Sequence, residues 1–197
     1  HTQITKLPDN LTVGGAISLT CSKIEQLPDN WTVHGNYLFL YGVPLQTLPL
    51  NLTVRGDLFT DLNLASGLTV GGDLELSGKV TALPEDIIVS GNLNLSGTQI
   101  TELPDNLTVG KDLDLSHTQI TKLPDNLTVG RDLKLSGTQI TELPENLTVG
   151  RDLDLSGTQI TELPDNLTVG GNLVASARLF GCGISSEIEQ EAQEISF

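Results

Sequence analysis

The chain has no methionine, two cysteines and only seven aromatic residues among 197. Without methionine the initiator is absent, so residues are expected to precede His1. No apolar run approaches the roughly 20 residues that a membrane-spanning helix needs, and no secretory signal pattern is visible. Bases are few: 10 against 25 acids, a formal net charge of −15. Such a surface repels nucleic acid and attracts basic partners. The three histidines, His1, His34 and His117, lie far apart and form neither a metal cluster nor a triad. Gly110-Lys111 lacks the surroundings of a phosphate-binding loop. These absences point to a non-enzymatic chain with no cofactor and no metal. Cys21 and Cys182 would sit roughly 35–40 Å apart in a stack of strands. A disulfide needs Cα atoms within about 7 Å, so both are expected as free thiols. That favours a reducing compartment but leaves cytoplasmic and secreted locations open.

What the chain does have is a repeat. Asp112 to Arg131 reads DLDLSHTQITKLPDNLTVGR, and Asp132 to Arg151 repeats it almost letter for letter. Asn92 to Lys111 and Asp152 to Gly171 do the same. A fixed short period is the mark of a solenoid. Within one unit, Leu113/Leu115 and Leu127/Val129 alternate with polar residues, the pattern of half-buried strands. Ile120 and Leu123 complete the apolar set. Turn residues separate these pairs: Ser116-His117, Pro124-Asp125-Asn126 and Gly130, the glycine expected to supply a positive φ. A lone coil buries too little to fold, so stability must come from stacking on neighbours. The expected fold is a right-handed β-solenoid of about nine repeats with parallel strands in columns about 4.8 Å apart.

The organisation follows from departures from that unit. Residues 1–183 read as one solenoid and 184–197 as a capping helix or tail. His1 to Gly14 is identical to His117 to Gly130, which makes 1–15 an incomplete first coil. Residues 36–91 are irregular. The coil from Asn36 is one residue longer, that from Asp57 is shortened, and that from Asp73 lacks one residue near Lys79. Residues 92–171 are regular. In the tail, Ile184, Ile188, Ala192 and Ile195 fall on one face at helical spacing.

Leu113-x-Leu115-x-x-Thr118-x-Ile120-x-x-Leu123-Pro124 resembles the core of a leucine-rich repeat. Its short period and Leu-Pro are similar to the bacterial class of secreted effectors and phage-associated repeat proteins. The resemblance covers the chain to about Val174 and implies a strand face that binds ligand. Two positions depart from it. Thr98, Thr118, Thr138 and Thr158 stand where the family places a ladder asparagine, and Gly110 stands where it has leucine. A three-faced parallel β-helix reads similarly. Effectors of this class often carry a ubiquitin-ligase domain after the repeats, and nothing after Gly183 is long enough to be one.

Candidate sites lie in the outward columns of the first strand. Tyr37, Phe39, Tyr41 and Phe59 are four of the seven aromatics, gathered in two adjacent coils. Outward aromatics concentrate binding energy at protein interfaces. The competing expectation is that loops 43–44 and 62–67 fold over the rings. Acidic columns are the second candidate: Asp57, Asp61, Asp73, Glu75, Asp112, Asp114, Asp132, Asp152 and Asp154, opposed on the face by Lys134 alone. Lys111, Arg131 and Arg151 flank them and offer partial pairing. The expected partner is a protein with a basic or apolar surface, with no nucleic acid and no membrane bound directly. The alternative is an acidic nucleic-acid mimic that inhibits a DNA- or RNA-binding protein. Calcium binding lacks the spacing of calcium-binding β-rolls. Ice binding lacks paired outward threonines, because Gln119 accompanies Thr121. The recurring Asn-Leu-Thr triplets are glycosylation sequons in form only; the turn itself calls for asparagine.

Overall fold

The computed structural model describes residues 4–105 and 107–175. They form a β-solenoid of about eight turns, built from a nine-stranded and an eight-stranded parallel sheet. Each regular coil gives one strand to each sheet. Leu113 pairs with Leu93 on one side and Leu133 on the other. Val129 pairs with Val109 and Val149. The sequence period has become the register. Leu113, Leu115, Ile120, Leu123, Leu127 and Val129 are all buried, in one core cluster that runs the length of the stack. No helix occurs among the described residues; the helix expected over 184–197 and Cys182 lie outside them.

Three corners close each coil. After the first strand, the Leu95 carbonyl accepts the Thr98 N–H at 3.1 Å, with Gly97 at φ 67°. His117 holds the same left-handed state at φ 59°. The threonine that follows is buried, and its hydroxyl donates to the same leucine carbonyl. Thr118 Oγ1 lies 2.7 Å from the Leu115 oxygen, and Thr98, Thr138 and Thr158 do likewise. This threonine therefore closes its own turn instead of linking neighbouring coils as a ladder residue would. At the second corner the Pro124 carbonyl accepts the Leu127 N–H at 3.2 Å.

The third corner corrects an expectation. Gly130 is not among the residues at positive φ. Its glycine is required by proximity: a Cβ there would overlap the backbone carbonyl oxygen of Gly110, one coil earlier. Gly110 stands in the same relation to Ser90, and Gly150 to Gly130. The coils approach closely here because Gly130 N–H donates to the Val109 carbonyl at 3.0 Å. Gly130→Ala is expected to cost about 1–3 kcal/mol, because a carbonyl in the ladder cannot move aside as a side chain can. Gly14→Ala, where a Cβ meets nothing within 4 Å, is the control. Equal urea midpoints for the two variants would refute this account.

The irregular coils keep both sheets. Leu58 pairs with Leu74 and Val54 with Val70, so the shortened coil still supplies two strands. Thr60 occupies a core column and is fully buried; its hydroxyl accepts the Leu62 N–H at 3.1 Å.

Candidate partner-binding face

The outward face of the nine-stranded sheet carries the expected residues. Its two longest strands are Tyr37–Leu40 and Asp57–Thr60, adjacent and in register. Leu38, Leu40 and Leu58 point inward and are fully buried. Alternation therefore sends Tyr37, Phe39 and Phe59 outward. Phe39 sits opposite Phe59, and their rings stack with centroids 4.5 Å apart and planes 23° from parallel. Strand spacing in a sheet is close to a stacking distance, so the register itself makes the pair. Tyr37 meets Phe39 edge-on, centroids 5.0 Å apart. Tyr41 follows; its hydroxyl donates to Glu75 Oε1 at 3.4 Å. Burial raises the Tyr41 phenol above its ordinary pKa, and the Glu75 carboxylate adds to the shift.

The apolar side chains of the loops belong to the main core and form no separate cluster with the rings. Val43 and Leu62 are buried in the core cluster, and Leu45 and Leu64 pack against it. Tyr37 remains 38% exposed, and Phe39, Tyr41 and Phe59 are half-buried.

The acidic columns have structural duties as well. From Asp57 onward the first column is a ladder between coils. Asp57 Oδ1 accepts the Asp73 N–H at 2.8 Å, and Asp73 Oδ1 accepts that of Asn92 at 2.8 Å. Asn92 then takes Asp112, Asp112 takes Asp132, Asp132 takes Asp152, and Asp152 takes Asn172. The second column caps turns: Asp114 and Asp154 accept the Ser116 and Ser156 N–H at 2.9 and 2.8 Å. Asp61 accepts the Gly42 N–H at 3.3 Å. The ladder was missed from sequence, although only Asp or Asn occupies its column from Asp57 to Asn172.

Charge on the face is uneven. Arg131 lies 3.8 Å from Asp112, Arg151 3.9 Å from Asp132, and Lys134 3.7 Å from Asp114. These exposed pairs add little stability, yet they offset the field of the middle coils. Among the described residues Asp57, Asp61, Asp73 and Glu75 have no ion-pair partner, nor do Asp152 and Asp154. The first four border the aromatic cluster within two coils; the other acidic candidates lie further along the stack.

No family model matches the chain, and no curated protein matches it significantly. Its standing as a repeat protein rests on period and register. No three His, Cys, Asp or Glu side chains among the described residues are placed to hold a metal ion. Cys21 is a free, exposed thiol. No helix among those residues is long and apolar enough to cross a membrane. A groove of about 560 Å³ runs beside Leu27, Pro28, Pro44, Leu48 and Pro49, at the Leu-Pro corners and away from the strand face.

Proposed function

We propose that the chain is a non-enzymatic protein-binding solenoid of the leucine-rich-repeat type, close in design to the short-repeat bacterial class. Tyr37, Phe39, Tyr41 and Phe59 anchor the partner, and the neighbouring carboxylates steer it. The observation that carries this reading is the outward stack of Phe39 on Phe59 with its flanking loops turned into the core. Rigid aromatic clusters of this kind supply the centre of protein interfaces. Charge beside them speeds association and selects a basic partner.

The test is affinity capture from lysate with wild type and the Phe39→Ala/Phe59→Ala double variant, each at two salt concentrations. Affinity for a captured partner is expected to fall by about 2 kcal/mol or more in the variant and to survive the higher salt. A basic nucleic-acid-handling protein held by the variant and released by salt would favour the mimic instead. The ion pairs of Asp112, Asp114 and Asp132 weigh against that outcome, because they neutralise part of the acidic surface a mimic would present.

A further inference from the structure

One row of the patch has a charge pattern of its own. Strand Asp57–Thr60 sends Asp57 and Phe59 outward, and Asp61 follows at the next outward position. The two carboxylates therefore lie on either side of the ring, with Cα atoms at most about 13 Å apart even if the chain stayed fully extended through Asp61. Phe59 is backed by Phe39 in the preceding coil. In the following coil lie Asp73 and Glu75. Asp57 and Asp61 each hold a backbone N–H, of Asp73 and Gly42 respectively. Neither has a basic partner among the described residues, although Asp112, Asp114 and Asp132 do. A carboxylate fixed by its own backbone, uncompensated and beside an apolar surface is ready to receive a cation. Its attraction strengthens when docking excludes water.

Resting on the reading above, we infer that the occupant of this patch is a protein segment with two cationic side chains straddling one apolar side chain. The cations sit over Asp57 and Asp61 and the apolar group on the Phe39–Phe59 pair. Charge complementarity selects this occupant. A second copy of the chain carries the same net charge of −15 and would set carboxylate against carboxylate. An anionic membrane or a nucleic acid meets the same repulsion.

The experiment selects binders to the full chain from a random peptide display library and synthesises the tightest. Their affinities are measured against wild type, Asp57→Asn/Asp61→Asn, Asp152→Asn/Asp154→Asn and Phe39→Ala/Phe59→Ala. Asparagine keeps the acceptor oxygen, and Asn92 already serves as a ladder rung, so the first two variants remove charge without removing a backbone hydrogen bond. Asp152 and Asp154 likewise have no basic partner among the described residues, which makes that pair the control for the general field. The expected result is recovered peptides with Lys or Arg on both sides of an apolar residue. Binding should fall about tenfold or more for the 57/61 variant, the scale of a desolvated charge pair, and less than about twofold for the 152/154 variant. Equal losses in both would assign the effect to a diffuse field and overturn the inference. Peptides that need Phe39 and Phe59 but carry no paired cations would overturn it while leaving the patch as the binding site. Binders indifferent to Phe39 and Phe59, or a library that yields none, would overturn both.

Discussion

Leu133→Ala is expected to lower the unfolding free energy by about 2–5 kcal/mol, the range for truncating a fully buried leucine. Leu133 is 0% exposed and sits in register between Leu113 and Leu153. Its removal leaves a void facing two coils. In a solenoid each coil contacts only its neighbours, so both interfaces of the Asp132 coil weaken together. Position along the stack should then matter as much as chemistry. Leu173 stands in the same column but is only half-buried, and among the described residues it pairs with Leu153 alone. Leu173→Ala is expected to cost less than half as much. Urea unfolding followed by circular dichroism compares the two. A similar loss at both positions would contradict nearest-neighbour stabilisation.

Trp31→Ala is expected to cost about 3–5 kcal/mol, with a different spatial signature. Trp31 fills the column that Leu127 occupies in a regular coil and is buried, 4% exposed. Its indole N–H donates to the Leu11 carbonyl at 3.1 Å, tying the first described coil to the next. Trp31→Phe keeps most of the apolar contact and leaves that carbonyl without its donor, an expected loss of about 1–3 kcal/mol. Amide hydrogen exchange resolves the effects: protection should fall first at the Glu25 amide, which donates to the Thr5 carbonyl across the same two coils. Equal losses in the alanine and phenylalanine variants would show that the hydrogen bond, not the volume, carries the effect.

Much of the fold was legible because one coil states its own periodicity. Leu113/Leu115 and Leu127/Val129 announce two strands, and the spacing of their copies sets the register. The irregular coils were legible as deviations from that spacing. What could not be read were relations between coils that depend on distance. Gly130 looks like a turn glycine within its own coil; only the stack reveals that its missing Cβ makes room for the Gly110 carbonyl. Asp112 looks like a surface acid until the Asp132 N–H is found beside it. The aromatic cluster was visible as composition, and its outward side followed from alternation. Whether 43–44 and 62–67 would cover it was not, because Val43 and Leu62 fit a lid and a core equally well by residue type. Both belong to the main core cluster.

The ladder gives the molecule a further property. A rung needs one oxygen directed at the next N–H, and Asn92 provides it as Asp73 and Asp112 do. Exchanging aspartate for asparagine at a rung shifts the surface by one unit of charge and leaves the backbone bonding intact. The column is thus a row of independent electrostatic settings mounted on a fixed frame. A lineage carrying this repeat can retune which partner it attracts, one rung at a time, without renegotiating how the protein folds.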